Sequence, residues 1–149
     1  MTVEKVGNII ELFYSTKNTR VTTSELSLDV KGVIKDKFYD KDIERSVLIS
    51  SLKSYILVND HGIDAPYGIL GENILVDYNP YHLKTGTRLL IGEVVLEISQ
   101  RCTLCKSLAK TDTKLPKILK NDRGIFAKVI NGGTIHKNDF IYLLSDESL

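Results

Sequence analysis

The two cysteines of this chain lie three residues apart, in the segment ISQRCTLCKSLAK at residues 98–110. Such a pair could be half of a zinc site, a redox pair, or one reactive thiol beside a buried one. A zinc site needs two further ligands, but His61, His82 and His136 lack the close spacing of a histidine ligand pair. A thioredoxin-like pair belongs to a βαβ unit, whereas this chain predicts β-hairpins. The pattern therefore favours one reactive thiol.

Cys102 is predicted to be the buried member of the pair. Val94, Leu96 and Ile98 alternate as in a strand with one apolar face. Continuing that period places Gln100 and Cys102 on the same face. A cysteine in this position usually packs as a small hydrophobic residue.

Cys105 lies beyond that strand, at the start of a predicted helix. Thr103 could cap a helix over residues 104–110, which would place Cys105 in its first turn. The positive end of the helix, with Arg101 and Lys106 nearby, would lower the pKa of the thiol. The resulting thiolate would be a nucleophile or a metal ligand. The alternative is that Cys105 only packs beneath the helix.

The segment 101–128 carries eight basic side chains and two acidic ones. It is either a solvated surface or a binding site for an anionic ligand beside the thiol. Surfaces for single-stranded nucleic acid interleave aromatic residues for stacking, and this segment contains only Phe126. A small phosphate-bearing ligand is therefore favoured over nucleic acid.

Composition and length are those of an ordinary globular protein. The 149 residues are 42% hydrophobic and 26% charged, with a net charge of +1. We expect a single domain over residues 1–149. No apolar run approaches the roughly 20 residues of a membrane span, and the N-terminus shows no signal-peptide pattern. We therefore expect a cytoplasmic protein with reduced thiols that binds neither membrane nor nucleic acid.

Short strands and glycine turns dominate the chain. The predicted strands are residues 9–14, 26–30, 46–49, 74–78, 88–91, 94–98, 126–130 and 140–144. Hairpin turns are predicted at Gly92-Glu93 and Asn131-Gly132, and a short helix is predicted to end at Gly62. The fold class is mainly β, a small closed or nearly closed β-barrel with short peripheral helices.

Four segments together resemble the MOSC family, named after the C-terminal domain of molybdenum-cofactor sulfurases. They are GVIKDKFYDKDIERSVLI (32–49), YGILGENILVD (67–77), LKTGTRLLIGEVVLEISQRCTLCKSL (83–108) and GIFAKVINGGTIHKNDFI (124–141). The resemblance implies a β-barrel that binds the molybdenum cofactor, a pterin with a phosphate and a dithiolene. The family's characteristic cysteine stands in a C-x-x-L context, which matches Cys105 and Leu108.

The resemblance makes Cys105 the molybdenum ligand or a carrier of persulfide sulfur. The candidate cofactor-binding residues are Arg45, Glu72, Asn73 and Lys106 by resemblance, with Arg101 added for its charge beside the thiol. Two positions depart from the family pattern: KDK at residues 35–37 replaces a glycine-aspartate before a basic residue, and Phe38 replaces a common histidine. Asn138 also replaces a glycine, which is tolerable because asparagine accepts a positive φ.

Three functions stay open. The first is a molybdenum-cofactor enzyme or subunit, which could reduce N-hydroxylated small substrates with an electron-donor protein. The second is a non-catalytic carrier that delivers persulfide sulfur to a metal–sulfur cofactor. The chain has no pyridoxal-phosphate module, so that sulfur would come from a cysteine desulfurase partner or a small donor. The third is a barrel in which Cys105 is inert and the basic face docks a partner.

Overall fold

The computed structural model describes residues 2–102 and 112–145. The strands are β1 (Thr2–Ser15), β2 (Arg20–Thr23), β3 (Glu25–Asp29), β4 (Gly32–Val33), β5 (Val47–Ser51), β6 (Ile74–Val76), β7 (Arg88–Ile91), β8 (Val94–Arg101), β9 (Ile125–Asn131), β10 (Gly133–His136) and β11 (Phe140–Ser145). The helices are a 3₁₀ turn at Ile43–Arg45, α1 (Leu52–Asp60) and α2 (Leu115–Ile118).

Seven of the described strands close into a barrel. Their order is β11-β7-β8-β9-β5-β6-β1, and β1 pairs back onto β11. The pairing of β5 with β6 is parallel and the others in this ring are antiparallel. Closure leaves the ring without a free strand edge. The predicted barrel is therefore confirmed.

Strand β8 shows both the strength and the limit of the alternation argument. Val94, Leu96 and Ile98 are buried in the barrel core, as predicted. Cys102, one residue beyond the strand, is also buried, as predicted. Gln100, however, is exposed. A β-bulge shifts the register against β9 between Ile98 and Gln100, and a bulged residue turns the following side chains to the other face.

The predicted hairpin at Gly92 is confirmed, because β7 and β8 pair antiparallel across it and Gly92 has a φ of +59°. The hairpin predicted at Asn131-Gly132 is wrong. Strand β10 pairs with β3, in a second sheet of order β10-β3-β4, and not with β9. A Cβ on Gly132 would lie 2.5 Å from the carbonyl oxygen of Leu28, so this glycine permits a close crossing over β3.

A second apolar cluster lies between the barrel and the two helices, and includes Phe13, Tyr55 and Leu70. The Ser51 side chain caps α1 by accepting from the N–H of Lys53 at 3.1 Å. The helix ends before Gly62, whose φ of +77° is the predicted left-handed stop. No helix within residues 2–102 and 112–145 is long and apolar enough to cross a membrane.

Candidate functional site

A cavity of about 670 Å³ opens beside the barrel. Its walls come from the loop between β4 and β5, from the loop that precedes β6, and from the chain where β8 ends and β9 begins. The volume lies in the range of pockets for small-molecule ligands, about 300–1,000 Å³.

Basic side chains outnumber acidic ones around this cavity. The basic residues are Arg20, Lys37, Lys41, Arg45 and Arg123, and the acidic ones are Asp36 and Asp42. Both carboxylates already accept backbone hydrogen bonds. Asp36 accepts from the N–H of Ser15 at 2.7 Å and of Phe38 at 3.0 Å, and Asp42 accepts from the N–H of Glu44 at 3.2 Å. Because the lining has more basic than acidic side chains, its net positive charge favours an anionic ligand.

Two aromatic rings add flat apolar surface to the same cavity. The Arg45 guanidinium lies 4.8 Å from the ring centroid of Phe126, and the Lys37 ammonium lies 5.0 Å from that of Phe38. Phe38 is 57% exposed. An exposed ring and a guanidinium–ring stack can both pack against a planar heterocycle.

Asn73 ties the cavity wall to the barrel. Its Oδ1 accepts from the N–H of Leu48 at 3.0 Å, while its Nδ2 donates to the carbonyl of Phe13 at 3.3 Å and to Asp36 Oδ1 at 3.4 Å. These bonds join β5, β1 and the loop that carries Phe38. Asn73 therefore positions the wall as well as lining it.

Glu72 lies behind the wall and is fully buried. Its Oε2 accepts from Ser50 Oγ and from Tyr55 OH, both at 2.5 Å. Arg20 Nη2 lies 3.7 Å from Glu72 Oε1 and donates to the carbonyls of Glu72 at 2.7 Å and Gly68 at 2.9 Å. Burial, and then the charge of Glu72, raises the pKa of Tyr55. The network holds Arg20 at the cavity edge.

Arg123 is the buried cation of the wall, with only 6% of its surface exposed. Its Nε and Nη1 have no hydrogen-bond partner among the described residues. Cys102 lies beside this segment, because its N–H donates to the carbonyl of Gly124, the residue after Arg123, at 3.0 Å. Both side chains line the cavity.

Only some of the site residues predicted from the sequence line this cavity. Arg45 and Asn73 line the cavity, while Glu72 supports it from behind and Arg101 is exposed on the surface. Cys105 and Lys106, and the helix predicted over 104–110, lie outside the described residues.

Sequence reasoning missed two cations at this site. Arg20 carried no motif, and Arg123 was counted only as part of the basic segment. Within the part of that segment that the structure describes, only Arg123 among the basic residues lines the cavity. Lys128 instead forms ion pairs with Glu44 and Glu97, each at 3.3 Å. Within residues 2–102 and 112–145, no group of three or more His, Cys, Asp and Glu side chains could hold a metal ion.

Comparison with known proteins places the chain among related folds. The model of the MOSC domain family matches residues 19–142. The crystal structure of the YuaD protein from Bacillus subtilis superposes with a TM-score of 0.81 at 16% identity, covering 98% of this chain and 99% of that one.

Two YiiM structures are also similar to this chain. That from Geobacillus stearothermophilus has a TM-score of 0.67 at 15% identity, covering 97% of this chain and 76% of that one. That from Escherichia coli has a TM-score of 0.69 at 18% identity, covering 93% and 70%. At these identities the structures show the fold alone. No curated protein matches the chain.

Proposed function

The chain belongs to the MOSC domain family, and on that premise we propose that it binds the molybdenum cofactor in the cavity beside Arg123. Cys105 would be the molybdenum ligand. The reaction class implied by the family resemblance is reduction of N-hydroxylated small substrates, with electrons from a donor protein.

The observation that carries this proposal is the chemistry of the cavity lining. A pterin with a phosphate needs flat apolar surface, cations and room for a small molecule. Phe38 and Phe126 supply the surface, five basic side chains supply the charge, and the volume is about 670 Å³. A simple sulfur carrier needs a reactive thiol but no such cavity.

Covalent reach also supports a role for Cys105. Cys102 lies on the cavity wall, and three residues of chain span at most about 11 Å. Sequence distance alone therefore allows the Cys105 thiol to reach the cavity. A thiolate is the soft ligand that a molybdenum centre would take from a protein.

The residues of the wall divide into those that would hold the cofactor and those that position them. Arg45 would bind the phosphate, and the rings of Phe38 and Phe126 would pack against the pterin ring. Glu72 acts through Arg20, which it holds at the cavity edge. When bound, the cofactor would supply a metal centre for oxygen-atom and electron transfer.

The test is the molybdenum and pterin content of protein purified from a host that makes the cofactor. Wild type and Cys102→Ser should carry both, and Cys105→Ser should lose the molybdenum. Absence of molybdenum and pterin from the wild type would refute the proposal. A persulfide on Cys105 without pterin would instead identify a sulfur carrier, supplied by a desulfurase or a small donor. Molybdenum retained in Cys105→Ser would remove Cys105 as the ligand.

A further inference from the structure

Arg123 combines deep burial with unpaired donors. The residue is 6% exposed, and its Nε and Nη1 have no hydrogen-bond partner within residues 2–102 and 112–145. Burying guanidinium donors without partners is costly, because they lose their hydration without gaining protein hydrogen bonds. Folded proteins rarely retain such a group unless another molecule completes it.

No carboxylate of the described residues neutralises Arg123. Asp122, the adjacent residue, pairs with Lys53 at 3.4 Å. The cavity's own acids, Asp36 and Asp42, accept backbone hydrogen bonds from other parts of the wall. The positive charge of Arg123 would therefore be neutralised by an anionic ligand that enters the cavity.

The backbone around Arg123 is held from both sides. The carbonyl of Asp122 accepts from Ser54 Oγ, and the carbonyl of Gly124 accepts from the N–H of Cys102 at 3.0 Å. A Cβ on Gly124 would lie 3.0 Å from Leu48 Cδ1, so the chain is tightly packed there. These contacts fix the backbone on both sides of Arg123.

We propose that Arg123 is an oxyanion-binding residue of the cavity, and that a phosphate-class dianion completes its hydrogen bonds. A dianion fits better than a monoanion because Arg20, Lys37, Lys41 and Arg45 add positive charge around the same space. The dianion could be free phosphate or the phosphomonoester end of a larger ligand. This role rests on the proposed function, because the cofactor is the proposed ligand of the cavity. It can still be tested without the cofactor, with inorganic phosphate as the probe.

One consequence separates this role from a structural one. If Arg123 is completed only by the ligand, Arg123→Met removes an uncompensated charge and should leave the ligand-free protein at least as stable as wild type. If Arg123 instead supports the fold, the same substitution should destabilise it. The matched control is Arg101→Met, the same chemical change at an exposed arginine outside the cavity lining.

The experiment uses ligand-free protein from a host that cannot make the cofactor. Inorganic phosphate is titrated by calorimetry and by thermal unfolding, with potassium chloride at matched ionic strength as the reference. Phosphate should raise the melting temperature of wild type and Arg101→Met through preferential binding to the folded state. Arg123→Met should lose at least about tenfold in phosphate affinity, while Arg101→Met stays within about twofold of wild type. Arg123→Lys, which keeps the charge, should bind with intermediate affinity.

The other outcomes are equally informative. Binding of phenyl phosphate but not of inorganic phosphate, lost in Arg123→Met, would identify a phosphomonoester as the source of the dianion. Failure of wild type to bind either probe would overturn the inference, and so would an Arg123→Met protein that unfolds more easily or binds phosphate as wild type does. Phosphate binding without any pterin in protein from a competent host would uphold Arg123 and refute the cofactor.

Discussion

Tyr55→Phe removes one hydroxyl group that joins two parts of the cavity wall. That hydroxyl donates to Glu72 Oε2 at 2.5 Å and accepts from the N–H of Gly68 at 2.9 Å. A hydrogen bond to a charged acceptor contributes about 1.5–3 kcal/mol, and a buried N–H left without a partner costs about 1–3 kcal/mol. Because one hydroxyl makes both bonds, we expect the free energy of unfolding to fall by about 3 kcal/mol.

The assay is urea unfolding, with Tyr39→Phe as the matched control. Tyr39 also donates to a carboxylate oxygen at 2.5 Å, that of Asp29, but near the surface. A solvent-exposed hydrogen bond competes with water, so this control should lose clearly less stability than Tyr55→Phe. If the two substitutions cost the same, burial does not set the strength of the Tyr55–Glu72 bond and the reasoning fails.

Two further predictions concern backbone strain and alkaline pH. Lys35 has a φ of +82°, and this conformation costs a non-glycine residue about 1–2 kcal/mol. Glycine avoids that strain, but its greater freedom in the unfolded chain costs about 0.5–1 kcal/mol of folding free energy. Lys35→Gly should therefore raise the free energy of unfolding in urea by about 0.5–1 kcal/mol. Asn138→Gly, at a φ of +75°, should raise it less, because asparagine tolerates a positive φ. A lower free energy of unfolding for Lys35→Gly would show that Lys35 is not strained. Burial raises the pKa of Tyr81 to about 12 and also raises that of Tyr55, so the unfolded chain releases these protons first. The free energy of unfolding in urea should be independent of tyrosine ionisation below about pH 10 and fall above it, less steeply in Tyr55→Phe. A wild-type profile that stays flat above that pH would refute this.

Much of the barrel could be predicted from local patterns. The alternation of Val94, Leu96 and Ile98 identifies a strand with one buried face, and Gly92 identifies the turn before it, because both signals depend only on neighbouring residues. Asn138, which replaces the family glycine, takes the positive φ that the pattern required. The exposure of Gln100 was not predictable, since a bulge depends on the partner strand.

The site was predictable only where a motif covers it. Arg45 and Asn73 were named from the family resemblance, and both line the cavity. Glu72 was named with them, but its side chain lies behind the wall, where Tyr55 and Arg20 hold it. The pairing with Arg20 joins residues far apart in the chain, and no periodic signal links such positions.

The sequence by itself determined the strands of the barrel, the turn at Gly92, the burial of Cys102 and the family. Each of these depends on which residues are apolar, which accept a positive φ, or which motifs follow one another. Only the tertiary structure decided that β10 pairs with β3, and that Arg123 lies buried on a cavity wall with its Nε and Nη1 unpaired by any of the described residues. Strand pairing and the burial of a charge depend on how distant segments meet when the barrel closes, and so local composition does not encode them.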